Sequence, residues 1–507
     1  MNKSRFILPL LLISSLFSCT ATQKETKVHP NELYEETIVD LSSYKSSQER
    51  NGQDKRFRVA VAISGGGHRA ANFGIGALLG LEEIKTNDIV GNNALSQVDM
   101  FSTVSGGGFA AGLYISTLSD YFAYCGESGE YSLMEVMAED CSSKCFDPNA
   151  SRQIERGYKD NITSFLNPFK ISSWRVWFTD LDRTNLLENA IDDDLLGNKW
   201  RQEKNKIAEQ VRDSLVLRDI FVPKFEEKPV LLPFWVANSS AFENGALFPF
   251  TPQTLFKYKV VGYTHRLKQK KYQGDDLKSE EYKKFLFNFP MSLAMTASGT
   301  FPVLLSTTTL DSILDPDNPY LHLLDGGLSD NIGVLSAIRY LNQDNGRNGA
   351  EKRLLIIVDA YNGPLCPFSR KREAPSMRKA LKKTRSISLN SWRGRYREIV
   401  SKLAVENNIK VVVIKADTFN KAEDFDKLYE PENDEIETVI NKLKKKWKDK
   451  KANGNQNKII EPSPLDLFRN IATDYNISVK EQKFVIALGR RLVREQAVSI
   501  IDALSTE

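Results

Sequence analysis

VDMFSTVSGGGFAAG, Val98 to Gly112, is the stretch on which the fold turns. Met100-Phe101-Ser102-Thr103-Val104 is an apolar run that predicts a buried strand. Ser105 follows it, then Gly106, Gly107 and Gly108, and the small residues from Phe109 to Tyr114 predict the start of a helix. A serine on a tight strand-to-helix turn is how hydrolases expose a nucleophilic hydroxyl. The glycines allow a bent backbone and the close approach of a substrate. A glycine-rich turn with an incidental serine has the same sequence, so the surrounding chain must decide.

Upstream, Phe57 to Ile63 (FRVAVAI) predicts a first buried strand, and Ala70 to Ile84 predicts a helix. Between them lies Ser64-Gly65-Gly66-Gly67-His68-Arg69. Three glycines ahead of a helix present a row of backbone N–H groups that suits an anion or a developing oxyanion, with Arg69 adding charge. The same residues fit the dinucleotide fingerprint G-x-G-x-x-A, with Glu82, Glu83 and Asp88 near the spacing of a ribose-binding acid. Arg69 is foreign to that pattern, and no GK[ST] follows, which excludes a P-loop.

Downstream, Pro229 to Ala237 predicts a strand followed by Asn238-Ser239-Ser240, and Gly245 to Phe250 a turn and a short strand. Ser292 to Ala297 predicts a short helix broken by Ser298-Gly299. Leu321 to Leu324 is a strand closed by Asp325-Gly326-Gly327, with Asn331 and Gly333 continuing the turn. An acid at a strand's carboxyl end stands where α/β sites gather. Arg353 to Ala360 and Asn408 to Ala416 predict buried parallel strands, and Val479 to Ala503 a helix with an apolar face for the sheet. Strands alternate with helices, so the predicted class is α/β, a mostly parallel central sheet flanked by helices.

The 507 residues carry a net charge of +4, too little to suggest nucleic acid. Lys3 and Arg5 precede the short apolar run Phe6 to Phe17, the pattern of an export signal. Leu16-Phe17-Ser18-Cys19 resembles a bacterial lipobox, so residues 1–18 are expected to be a signal peptide and Cys19 a lipidated membrane anchor. Thr20 after it, rather than Asp, points to the outer membrane, facing the periplasm or the surface. Residues 19–55 are polar and predict a tether. Export places Cys125, Cys141, Cys145 and Cys366 in an oxidising compartment, with three pairings open and at least one disulfide expected between Cys125 and the 141/145 pair.

Two insertions are predicted, at about 120–228 and 365–460. The first contains Phe165 to Phe178, five aromatics beside Lys170 and Arg175, which reads as core or as a membrane-facing lid. The second contains residues 370–402, with twelve Lys and Arg against Glu373 and Glu398. That segment suits a solvated helix face or an anionic lipid surface. Lys268 to Lys284 is charged and reads as a solvated connection.

GGGHR, TVSGG, ASGTFP and DGG, in that order, resemble the patatin-like phospholipases. So do Asp182-Arg183-Thr184 through Leu196-Gly197, FWVANSSAFENG, and ISVKEQKFVIALGRRLV near the end. The resemblance covers roughly Phe57 to Leu504 and implies one hydrolase domain over 56–505, a patatin-like Ser–Asp hydrolase fold with insertions. It implies a lipid acyl hydrolase acting on membrane phospholipid or another acyl ester, with no cofactor and no metal. Ser105 is then the nucleophile and Asp325 its base, and Gly65, Gly66, Gly67 and Gly106, with Arg69 nearby, hold the oxyanion. An Asp of ordinary pKa, about 3.9, is a weak base, so burial is expected to help it. Of the four histidines, His29, His68, His265 and His322, none follows Asp325, where the α/β-hydrolase order would place one. Thr103 departs from G-x-S-x-G by standing where the first glycine is usual. A catalytically inactive lipid-binding lipoprotein is the main alternative, and a dinucleotide-binding protein a weaker one.

Overall fold

A nine-stranded sheet carries the site, in the order β9-β8-β1-β2-β3-β7-β6-β5, with β4 paired to β3. The strands are β1 Phe57–Ile63, β2 Met100–Val104, β3 Phe234–Ala241, β4 Leu247–Pro249, β5 Val260–Tyr263, β6 Thr308–Ser312, β7 Tyr320–Asp325, β8 Lys352–Asp359 and β9 Ile409–Lys415. This computed structural model describes residues 57–86, 93–125, 191–196, 215–221, 224–225, 228–229, 232–263, 272, 274–301, 305–342, 352–361, 408–429, 434–452, 461–471 and 477–505, and the single positions 184, 187, 188, 396, 398, 400–402 and 405. All lie in one compact unit, Val39–Glu507.

The sheet is mixed. From β9 through β3 the neighbours are parallel. From β3 onward, through β4, β7, β6 and β5, every pairing is antiparallel. The parallel half matches the continuous apolar runs: β1 from Val59 to Ile63 and β8 from Leu354 to Val358 are fully or almost fully buried, as strands covered on both faces must be. In the antiparallel half burial alternates, as in Thr308–Ser312 and Tyr320–Asp325. One face there meets the core and the other meets water.

Helices cover the parallel half. Helix α1, Gly67–Glu83, follows β1, and α2, Gly106–Cys125, follows β2. Met291–Gly299 forms α3, Val334–Leu341 forms α4, and Pro464–Asn470 forms α5, which begins after Ser463 with Ser463 and Asp466 in a capping box. The predicted C-terminal helix is two helices, α6 Val479–Arg494 and α7 Ala497–Leu504. Helices α1 and α6 pack closely: a Cβ on Gly76 would stand 2.1 Å from the carbonyl oxygen of Ile486. Across that crossing Glu83 pairs with Arg490 and Arg494.

Two expectations need correction. Asn238, Ser239 and Ser240 do not follow a strand but belong to β3, each fully or almost fully buried. The side chains of Asn238 and Ser240 are satisfied by partners from distant elements, which local polarity does not reveal. A helix, Glu280–Phe287, begins within the charged connection at 268–284 and runs past it, capped by Ser279 and burying Tyr282 and Leu286. The export signal, Cys19, the tether, Cys141, Cys145, Cys366 and Phe165 to Phe178 lie outside the described residues, as does most of 370–402. Of that basic segment Tyr396, Glu398 and Val400 to Lys402 are described; Tyr396 and Val400 are buried, and Glu398, Ser401 and Lys402 are exposed. Among the described residues no helix is long and apolar enough to cross a membrane.

Candidate active site

Ser105 stands where β2 ends and α2 begins, with φ 47°. A non-glycine residue in this left-handed region costs about 1–2 kcal/mol, so surrounding bonds must hold it. Its N–H donates to Ser298 Oγ at 2.9 Å, and its carbonyl accepts from the Gly108 N–H at 2.9 Å. Behind it Gly106 is forced by contact: a Cβ there would lie 2.1 Å from the Gly67 carbonyl oxygen. The turn after β1 and the turn after β2 are therefore packed back to back. Thr103 fits without disturbing this arrangement. It is fully buried in β2, and its Oγ1 accepts from Trp235 Nε1 at 2.9 Å.

The glycine loop ends with Gly66 (φ 147°) and Gly67 (φ 59°), and Gly67 already opens α1. The helix thus starts earlier than the predicted Ala70 and takes in His68 and Arg69. The first-turn amides of α1 and α2 have no partners within their helices, so two helix N-termini meet beside Ser105.

Two members of the predicted oxyanion group have hydrogen bonds to other elements. The Gly65 N–H donates to the Asn331 carbonyl at 2.9 Å and is committed there. What Gly65 supplies is room, since a Cβ on it would lie 2.7 Å from Asn331 Oδ1 and 3.4 Å from Ser105 Cβ. Arg69 is 2 % exposed. Its Nη1 donates to the Ile471 carbonyl at 2.9 Å and its guanidinium lies over the Phe468 ring of α5. Arg69 clamps α1 to the C-terminal helices.

Burial lowers the His68 pKa to about 4. The imidazole is therefore neutral near pH 7, which removes it as a cationic partner for an oxyanion. The sign of its effect on stability follows. Above pH 6.5 the ring is neutral folded and unfolded. Below that, the unfolded chain takes up a proton that the folded chain refuses, so stability falls as pH drops through the window from 6.5 to 4. The full effect is about 3 kcal/mol. In urea unfolding the parent is expected to lose about 2–3 kcal/mol more than His68→Gln between pH 7 and pH 4.5. Equal losses would contradict the assignment.

Asp325 closes β7 and is 5 % exposed. It does sit at a strand's carboxyl end, but β7 runs against β3, pairing Asp325 with Ser239. Strand β3 in turn pairs Asn238 with Val104, the residue before Ser105. Asp325 thus reaches the level of Ser105 from the opposite direction, two strands away. Its Oδ1 accepts from the Gly327 N–H at 2.8 Å, and its own N–H donates to the Thr300 carbonyl at 2.9 Å. Gly326 is forced by a close approach, a Cβ there falling 2.0 Å from the Asn238 carbonyl oxygen. The neighbouring acid, Asp330, has another task. Fully buried, it accepts from the N–H groups of Ile332, Gly333 and Leu335 and holds the start of α4. His322 is three residues before Asp325, so strand alternation turns it to the other face. There its Nδ1 meets Thr309 Oγ1 at 3.0 Å.

Three site residues carried no local signal. Ser298 reads in the sequence as a helix breaker, yet its hydroxyl accepts from the Ser105 amide. Asn238 joins elements far apart in sequence: its Nδ2 donates to Ser102 Oγ and to the Thr103 carbonyl, both at 3.0 Å, while its Oδ1 accepts from Ser336 Oγ at 2.6 Å. Asn331 was read as part of a turn, and its Oδ1 lies against both Gly65 and Gly327.

A sequence model described as patatin-like phospholipase matches residues 61–338, more than half of the 507. The chain belongs to the patatin-like phospholipase family. Its fold is patatin-like, with a mixed central sheet between helices. In a comparison with solved structures, human GIVD cytosolic phospholipase A2 is similar at 11 % identity and TM-score 0.37, over 91 % of this chain and 65 % of that one. The same human enzyme in complex with methyl gamma-linolenyl fluorophosphonate and terbium chloride is similar at 12 % identity and TM-score 0.34, over 92 % and 63 %. The patatin-like chain thus spans just under two thirds of those proteins. A comparison with curated proteins finds no match.

Proposed function

We propose that this patatin-like chain hydrolyses carboxylic esters of membrane lipids with a dyad of Ser105 and Asp325. The observation that carries the reading is the convergence on one short segment, 298–300. Ser298 holds the amide of Ser105, Gly299 stands 3.9 Å from Ser105 Oγ when given a Cβ, and Thr300 holds the amide of Asp325.

The Asp325 carboxylate takes the proton of Ser105 Oγ as that oxygen attacks the ester carbonyl. Negative charge passes to the carbonyl oxygen, where the amides of Gly66, Gly67 and Gly106 stabilise it. Collapse expels the alcohol, which leaves with the proton returned by Asp325, and the acyl group stays on Ser105. Water then attacks the acyl ester and gives its proton to Asp325. The second collapse frees Ser105, which recovers that proton, and the fatty acid departs. The products are one fatty acid and one lysolipid per turnover.

Lipidation at Cys19 would tether the enzyme to a bilayer in the periplasm or at the cell surface, next to its substrate, with the basic segment 370–402 as an additional contact. The test is to incubate purified protein with phosphatidylcholine vesicles and measure free fatty acid and lysolipid. Equimolar release of both is expected. Vesicle binding by folded protein with neither product released would overturn the reading in favour of an inactive lipid-binding lipoprotein.

A further inference from the structure

We infer that Ser298 is a positioning residue for the dyad, an inference that rests on the function proposed above: its hydroxyl sets the nucleophile turn and its carbonyl ties that turn to the acid loop. Ser298 lies in the last turn of α3 and is 1 % exposed. Its Oγ accepts from the Ser105 N–H at 2.9 Å and donates to the Asn238 carbonyl at 2.6 Å. Its carbonyl accepts from the Gly326 N–H at 3.1 Å, one residue past Asp325. A single residue therefore bonds the nucleophile and the residue that follows the acid.

The chemistry requires a hydroxyl. The Ser105 amide needs an acceptor and the Asn238 carbonyl needs a donor, and in this buried place one O–H group serves both. Alanine would leave both groups without a partner. The bond also matters for the conformation at Ser105, since an L-residue at φ 47° stays there only when its surroundings over-determine it. The acceptor is itself fixed, because Asn238 is held from β2 and α4 through Ser102, Thr103 and Ser336. With the Ser105 N–H engaged by Ser298, the next amide, that of Gly106, remains on the α2 side for the oxyanion.

The test compares Ser298→Ala, Ser298→Cys and Ser298→Thr with the parent. Cysteine keeps the shape with a weak hydrogen-bonding group, and threonine keeps the hydroxyl. Ser292→Ala serves as comparator, because Ser292 is a fully buried serine on the same helix whose hydroxyl bonds no site residue. The readouts are kcat and KM on a soluble p-nitrophenyl acyl ester, the rate of labelling by a fluorophosphonate, and the melting temperature. Misplacing a reacting group by about 1 Å costs on the order of 100-fold. Ser298→Ala and Ser298→Cys are therefore expected to lower kcat and the labelling rate together by about 10- to 100-fold, with KM within about 3-fold. Threonine should recover most of that loss, and Ser292→Ala should match the parent. If alanine prevents folding, the cysteine variant decides.

The inference is overturned if folded Ser298→Cys keeps the parent's kcat and labelling rate, or if Ser292→Ala loses as much as the Ser298 variants. Failure of the dyad itself gives a different result, a parent protein that is not labelled at Ser105.

Discussion

Replacing Ser105 by alanine is expected to lower ester hydrolysis by at least about 10⁴-fold, the scale seen when a serine nucleophile is removed from a hydrolase. The change deletes one oxygen and leaves the main-chain bonds of the turn available, the amide to Ser298 and the carbonyl to Gly108. Alanine at φ 47° carries much the same backbone cost as serine, so stability should stay within about 1 kcal/mol of the parent. A melting curve and a vesicle assay on one preparation check both parts. Loss of activity with loss of fold would not meet the expectation, and neither would a folded variant that still releases fatty acid at the parent rate.

Asp325→Asn is expected to lower kcat by about 10³- to 10⁴-fold, the range found when a catalytic acid group loses its charge without losing its shape. Asparagine can still accept the Gly327 N–H that Asp325 Oδ1 accepts at 2.8 Å, and the main-chain bonds to Thr300 and Ser240 do not depend on the side chain. What it cannot do is take a proton from the Ser105 hydroxyl. The loss should therefore fall on kcat, with KM within about 3-fold, and the fluorophosphonate should label Ser105 more slowly by a similar factor. Asp330→Asn provides the contrast. That carboxylate holds the start of α4 through backbone amides, and burial raises its pKa against them. Its replacement should be felt in stability before catalysis.

The parts of this site that were legible in the sequence are those with a local cause. A strand, a serine and three glycines can do little other than turn into a helix, and the loop at 64–69 follows the same logic one strand earlier. Asp325 was legible because two glycines follow an acid at a strand end. Its direction of approach was not, because a six-residue strand reads the same parallel or antiparallel, and only its pairing with β3 shows that it runs against its neighbour.

Ser298 lies 193 positions from the amide it holds, and Asn238 lies 136 from Ser102. Nothing in periodicity or propensity connects residues so far apart. Their polarity suggested a helix end and a loop, because a buried serine or asparagine is stable only through partners that the chain brings together on folding. The bond that Arg69 makes was hidden for the same reason. A charge inside a glycine loop reads as an anion ligand, and nothing local shows that its Nη1 also bonds a carbonyl 402 residues away.

The central claim is that Ser105 is the nucleophile of a lipid ester hydrolase. It is tested most directly by treating the folded protein with a fluorophosphonate and mapping the adduct by peptide mass spectrometry. One phosphonylated residue is expected, Ser105, formed in step with the loss of fatty acid release. Complete inhibition with the adduct on another residue, or full hydrolytic activity in folded protein carrying the adduct on Ser105, would contradict it.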